Sequence, residues 1–394
     1  MSTKTLRIIM NGVTGRMGYR QHLVRSILAI RDDGGIRLAD GDRIQVEPIL
    51  VGRDREKLAE LAARHHIEEF TTSLAEALAD ETATIYFDAQ ITGARTSAIL
   101  EAIAAGKHIY TEKPIGDTVA DGLELVAAAG DAGVITGVVH DKLYLPGLQK
   151  LKRLVDSGFF GRVLSVRGEF GYWVFEGDLT PAQRPSWNYR SEDGGGMTLD
   201  MYCHWNYVLE NLFGRVEAVT SRSVTHIHER WDESGHRYEA TADDAAYGIF
   251  ELAGDIIAQI NSSWAVRVDR DELVEFKVDG THGSAVAGLF GCTVQPRVNT
   301  PRAVWNPDLP TEEDFASQWA SVPDNQEFGN GFRAQWEEFL QEVVAGRPHA
   351  YDLAAGVRGL RLVEAGLLSS AEGRRITIGD DSGGASGTIE AANR

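Results

Sequence analysis

Leu6-Arg7-Ile8-Ile9-Met10-Asn11-Gly12-Val13-Thr14-Gly15-Arg16-Met17-Gly18 sets the fold. A short apolar run ends at three glycines, and over 17–30 apolar residues such as Leu23, Ile27 and Ile30 then recur at helical spacing. That order is strand, glycine turn, helix. The run is G-x-x-G-x-x-G rather than the more usual G-x-G-x-x-G, but the physics is shared: glycines permit a tight turn and let a pyrophosphate approach N–H groups at a helix N-terminus. On this reading Gly12, Thr14, Gly15, Arg16 and Met17 hold a dinucleotide. The competing reading is a tight turn that merely packs helix on strand.

Outward from this stretch the alternation continues. Strands are expected at 44–51, 84–87, 108–110 and 134–139, with helices at 56–64, 94–105 and 119–132. Such alternation implies parallel strands with right-handed crossovers, a doubly wound sheet covered on both faces. Ligands bind such sheets outside the strands' carboxyl ends, and Gly12, Glu112-Lys113 and His140 all follow strands. At the end of the second expected strand, Val51-Gly52-Arg53-Asp54 puts glycine where an acid would bind the ribose of NAD, and Arg53 next to it leans toward NADP. Two alternatives stay open: Arg53 stacks on the adenine, or Asp54 reaches the ribose.

From about residue 161 the pattern changes to alternating segments at 162–170, 216–226, 245–252, 256–264, 272–279 and 283–289, with Ala253-Gly254-Asp255 as a hairpin signal. This predicts a mainly antiparallel sheet with a helix at 199–212 on one face. An apolar opposite face would need a partner subunit, so a homodimer or homotetramer is expected. Helices at 331–344 and 354–368 follow. The chain therefore divides into a dinucleotide-binding α/β domain (1–140), an α+β domain for substrate binding and oligomerisation (141–378) and a tail at 379–394 whose composition reads as disordered.

Composition narrows the function. In 394 residues, 43% are hydrophobic and 25% charged, and the net charge of −19 repels nucleic acid and anionic lipid. Neither is an expected partner. No apolar run has membrane-spanning length, and Cys203 and Cys292 read as buried thiols rather than a disulfide framework. With a strand beginning so near Met1, a cytoplasmic address is expected.

Three clusters carry chemistry. Glu112-Lys113-Pro114 places a lysine after an apolar strand, where it can give or take a proton beside a nicotinamide ring. The alternative is a solvated loop lysine. Gly194-Gly195-Gly196 leads into a helix on which Asp200 and His204, four apart, share a face. A carboxylate and an imidazole so placed can handle a substrate hydroxyl; an ordinary helix-face pair and half a metal site are the alternatives. The stretch 172–190 gathers Tyr172, Trp173, Phe175, Arg184, Trp187, Asn188, Tyr189 and Arg190, suited to stacking on a sugar ring and holding an anionic group. A lid or subunit contact fits it equally. His226 and His228 lack a third ligand, so no metal is assigned.

Taken together, Gly12 to Gly18, Glu112-Lys113-Pro114, and the glycine run followed by Asp200 and His204 resemble the glucose-fructose oxidoreductase and inositol dehydrogenase family, often called Gfo/Idh/MocA. The resemblance spans residues 5 to about 370. It implies an N-terminal Rossmann domain, a C-terminal sheet used for dimerisation, a nicotinamide cofactor (NAD or NADP) between them, and roles for Lys113, Asp200 and His204 at a sugar or polyol hydroxyl. Beside an oxidised nicotinamide, and buried, the ammonium form of Lys113 is disfavoured. Pro114 would fix the turn, with a cis peptide as one way to do so.

The chain departs from the pattern at three places. Phe87 to Gly93 replaces the family's Thr-Pro-Asn type loop, Lys142 stands where many relatives carry arginine, and Tyr202 stands where a small glycine is common. Tyr202 would narrow the pocket or put a phenol in it. The expected activity is NAD(P)-dependent oxidation of a sugar, polyol or sugar-derivative hydroxyl, with His140, Lys142, Tyr144, Trp173, Arg184, Trp187, Tyr189 and Tyr202 as substrate contacts. Two rivals stand beside it. A redox-neutral glycosidase would use transient ring oxidation, elimination and hydride return, with Tyr202, Tyr144 or His140 as an extra base. A non-enzymatic sensor would bind cofactor or sugar without turnover.

Overall fold

The computed structural model describes residues 2–171, 177–302, 306, 308–310 and 313–379. Tyr172, Trp173 and Phe175 lie outside them, as does the expected tail from 380 onward. The chain forms two compact units.

The first unit comprises Met1–Tyr144 and Gly329–Glu364. Its strands are β1 (Thr3–Asn11), β2 (Ile36–Arg37), β3 (Arg43–Val51), β4 (Glu69–Thr71), β5 (Ala83–Asp88), β6 (His108–Thr111) and β7 (Thr136–Val138). They lie in the order β2-β3-β1-β5-β6-β7, with β4 also on β3. All pair in parallel except β2 with β3. Successive strands run one way from β1 to β3 and the other way to β5, so the order reverses at β1, the switch point where such sheets bind ligands. Gly12 follows directly on that strand.

Helices Gly18–Leu28, Arg55–His65, Arg95–Ala104 and Val119–Ala132 supply the expected crossovers. Two cores result. Ile8 and Met10 face a layer with Leu23, Ile27 and Phe87, while Ile9 faces the other with Ile99, Ile103 and Leu125, the period-two alternation of a strand buried on both sides.

The linear division at 140 does not describe this packing. Trp336, Phe339, Leu340 and Val343 complete the first core layer, and Leu353, Val357 and Leu360 the second. These apolar faces had no other way to leave water, so helix Gly331–Ala345 and the start of helix Leu353–Glu372 belong with the N-terminal strands rather than with the second domain.

The second unit, Leu145–Phe328 and Ala365 onward, contains β8 (Val163–Phe170), β9 (Val216–Val224), β10 (Glu229–Trp231), β11 (Arg237–Glu239), β12 (Ala245–Leu252), β13 (Ile256–Ser263), β14 (Val274–Gly280), β15 (Gly283–Ala287), β16 (Cys292–Pro296), β17 (Ala320–Ser321) and β18 (Ile376–Thr377). Nine of these form one sheet in the order β17-β16-β15-β14-β8-β13-β12-β9-β18. Within it β8 and β13 run parallel and the remaining neighbours antiparallel. β10 and β11 form a separate hairpin. The expected turn at 253–255 is present, with Gly254 at φ +84° and Asp255 at φ +60°. Helices Pro146–Asp156 and Met197–Leu212 pack on sheet strands, while Leu164, Tyr247, Ile249 and Ile257 remain exposed. Both cysteines are buried free thiols. No helix among the described residues is long and apolar enough to cross a membrane.

Candidate active site

The glycine turn is built for close approach. Gly12 sits at φ +85°, and a Cβ there would lie 2.5 Å from the Ala89 carbonyl carbon. On Gly18 it would meet the Gly12 carbonyl oxygen at 2.6 Å. Thr14, Gly15 and Arg16 are exposed, and helix Gly18–Leu28, wound as a π-helix, starts at Met17 without a side-chain cap. Its first N–H groups are those a pyrophosphate would meet, so the turn fits a dinucleotide. Gly52 abuts this turn, its Cβ position lying 3.7 Å from the Thr14 methyl. Beside it, Asp54 caps helix Arg55–His65 by accepting from the N–H groups of Glu56 and Lys57, both at 3.1 Å. Arg53 is exposed.

Lys113 stands at the end of β6 on a backbone held from both sides. The peptide to Pro114 is cis. Ahead of it, buried Glu112 accepts the Lys113 N–H through Oε2 at 3.1 Å and bonds His22 Nε2 through Oε1 at 2.8 Å. Burial pushes this carboxyl up, but the hydrogen bond from His22 and the charges of Lys113 and Arg95 outweigh it and hold Glu112 below the usual carboxylate range. After it, the Pro114 carbonyl accepts from the Arg95 guanidinium, which also donates to Asp88 Oδ1 at 3.0 Å and to the Gln90 carbonyl at 2.6 Å. Asp88 and Arg95 are both buried.

In the second unit the glycine run delivers helix Met197–Leu212. Gly196 lies at φ +128°, and a Cβ on Gly195 would fall 2.5 Å from the carbonyl oxygens of Trp187 and Asn188. Asp243 stands over the helix start, accepting from Thr198 N–H and hydroxyl, each at 2.7 Å. Asp200 then accepts from Arg184 at 3.0 Å. The same guanidinium donates to Asn188 Oδ1 at 2.9 Å and lies 4.4 Å from the Trp264 ring centre. His204 is buried one turn on, its Nδ1 2.6 Å from the Tyr207 hydroxyl. Asp200 and His204 stand four apart on this helix, the spacing of one face, and Arg184 reaches Asp200 from the segment before the glycine run.

Other expected contacts go elsewhere. Tyr202 is fully buried, its hydroxyl 2.6 Å from Ser221 Oγ on β9 and its ring edge-on to Phe250. A two-residue step turns a helix by about 200°, which sends Tyr202 into the sheet rather than into a pocket with Asp200. Tyr189 is also a core residue, stacked under the Arg230 guanidinium at 3.9 Å and edge-on to Trp264. Both side chains therefore sit in the core of their unit. Tyr144 donates to Glu338 Oε2 at 2.5 Å, and burial first, then Glu338, pushes its phenol far up. His140 is buried against Tyr351, and burial holds its imidazole well below the ordinary range. Lys142 lies 3.8 Å from Asp141, and Trp187 is 38% exposed.

Residues 6–140 match the model of the oxidoreductase family with an NAD-binding Rossmann fold, and residues 148–286 match that of the GFO/IDH/MocA C-terminal domain. A D-xylose dehydrogenase of Paenarthrobacter nicotinovorans is 61% identical over 380 residues, 95% of this chain and 98% of that one. The chain belongs to the Gfo/Idh/MocA family. A more distant relative, 1,5-anhydro-D-fructose reductase of Ensifer adhaerens, is 27% identical over 64% of this chain and 70% of its own. Among solved structures, levoglucosan dehydrogenase in complex with NADH superposes with a TM-score of 0.79 at 19% identity, covering 95% of this chain and 100% of that one, a likeness of fold.

Membership also explains which residues the sequence hid. The family motif leads to Lys113, but His22, Arg95 and Trp336, which fix its backbone directly or in series, carry no motif. Asp88 marks the loop where this member departs from the family, and here it anchors Arg95, Gln90 and Tyr86.

Proposed function

We propose that this Gfo/Idh/MocA oxidoreductase oxidises a hydroxyl-bearing carbon of an aldopentose of the D-xylose type. The 61% identity to a D-xylose dehydrogenase over 95% of the chain carries this reading. When bound, the nicotinamide supplies the hydride acceptor; the protein's own groups manage the substrate oxygen. Lys113 takes the hydroxyl proton as the carbon loses hydride, leaving a carbonyl product. Asp200, which accepts from Arg184, orients the hydroxyl, and His204, bonded to Tyr207 through Nδ1, shares the acid-base role beside it. Lys113→Ala should lower kcat by at least about 100-fold while cofactor binding persists. Full activity in that variant overturns the assignment. In a sugar screen followed by absorbance of the reduced cofactor, kcat/KM should be highest for D-xylose among common aldoses and inositols.

The acceptor ribose is the finer question. Asp54 is committed to capping its helix, which leaves exposed Arg53 as the group beside the turn and supports NADP as a co-substrate alongside NAD. Arg53→Ala should then reduce kcat/KM for NADP and spare that for NAD. The exposed apolar residues of the large sheet support a homo-oligomer through that face. The elimination reading draws no support from Tyr144 or Tyr202, whose hydroxyls are hydrogen-bonded and pushed up by burial.

A further inference from the structure

Helix Gly18–Leu28 carries a fully buried histidine that the reaction does not touch. His22 packs against Phe87, Phe332 and Trp336, with ring centroids at 4.4, 5.1 and 6.3 Å. Trp336 Nε1 donates to His22 Nδ1 at 3.0 Å. An indole nitrogen can only donate, so His22 Nδ1 is an acceptor and the ring proton sits on Nε2. That proton points at Glu112 Oε1, 2.8 Å away, and the other oxygen of the same carboxylate takes the Lys113 N–H at 3.1 Å. The hydrogen bonds therefore run from Trp336 to His22 to Glu112, a direction imposed by the indole, and the same carboxylate accepts the Lys113 N–H from the other side.

We propose that His22, with its tautomer set by Trp336, is a positioning residue that holds Glu112 as an oriented carboxylate and so fixes the backbone from which Lys113 works. The inference rests on the role given to Lys113 above. The groups facing Glu112 are His22 from helix Gly18–Leu28, Tyr110 and Lys113 on its own segment, and Arg95 from the neighbouring helix. Of these, His22 and the Lys113 amide hold its two oxygens, and Arg95 is occupied by Asp88 and two carbonyls. Without the His22 N–H, a buried carboxylate would lose the donor on one oxygen, which favours its protonated form and a different rotamer.

The experiment is carried out on the full-length enzyme. In the wild type, nitrogen-15 NMR of the histidine rings should show His22, identified by the signal lost in His22→Gln, protonated at Nε2 and bare at Nδ1; a proton on Nδ1 overturns the proposal. His22→Leu should lower kcat about 10- to 100-fold with a smaller change in the sugar KM, because the reacting lysine is displaced rather than the binding surface. His22→Gln, which can place an amide N–H toward Glu112, should recover most of that loss. A Gln variant no better than the Leu variant, or a Leu loss explained by the unfolded fraction alone, overturns it. Trp336→Phe removes the indole N–H and frees Nδ1 from its acceptor role, so the His22 ring should show the Nδ1–H tautomer alongside the Nε2–H one; an unchanged tautomer counts against the proposal. Full activity of Lys113→Ala would instead defeat the catalytic reading while leaving the NMR tautomer as found.

Discussion

Asp88 and Arg95 show how much of the site rests on single buried charges. Asp88 accepts from Tyr86 Oη, Gln90 N and Nε2, and Arg95 Nε, and the pair is closed to solvent. Removing one partner strands the other charge in the interior, which costs about 3–5 kcal/mol. Asp88→Ala should therefore lose about that much in urea unfolding and, by releasing the Pro114 carbonyl from Arg95, also lower kcat. At this scale the sequence singles out Lys113, Asp200 and His204, where residues fall in a motif, as the candidates for the proposed chemistry. Arg184 was legible only as part of an aromatic stretch, not as the partner of Asp200. His22 and Trp336 lie 314 residues apart, and no local pattern links them. Helix geometry alone separates Tyr202 from Asp200, and its burial against Ser221 follows from that.

Elements were easier to read than their ends. Both the four crossover helices and the main parallel strands follow from apolar periodicity, whereas β2, β17 and β18, two residues each, are shorter than any repeat. The π-winding of Gly18–Leu28 also escaped, because apolar residues every third or fourth position suit a helix of either pitch. The glycine turn is the element where substitution is most telling. Gly12→Ala puts a methyl 2.5 Å from the Ala89 carbonyl carbon at a φ of +85°, so the turn must shift against backbone rather than a flexible side chain. Calorimetric titration should show cofactor affinity reduced at least about tenfold, with stability lower by about 1–3 kcal/mol; unchanged affinity would remove the turn from the cofactor site.

The whole molecule should be acid-sensitive. Burial holds His140 well below, and His108 below, the ordinary imidazole range of 6.5. A depressed folded value means that the unfolded chain binds the proton more readily, so stability is full above about pH 6.5 and falls as pH drops below it. Glu112, also depressed, acts in the same direction once pH approaches its ordinary 4.5. Tm should thus decline from pH 7 to 5.5 before the carboxylates titrate, with net proton uptake on unfolding; a flat Tm across that range contradicts the assignment. The alternation of strand and helix made the first unit's topology legible, but not its C-terminal wall, since helices 331–344 and 354–368 look the same whichever core they cover. That wall has a consequence in time. On a ribosome adding about 5–20 residues per second, Trp336 emerges roughly 16–60 s after His22. For that interval the N-terminal strands exist with an open apolar flank, a window in which a chaperone or an early stop codon would decide whether the nascent chain survives.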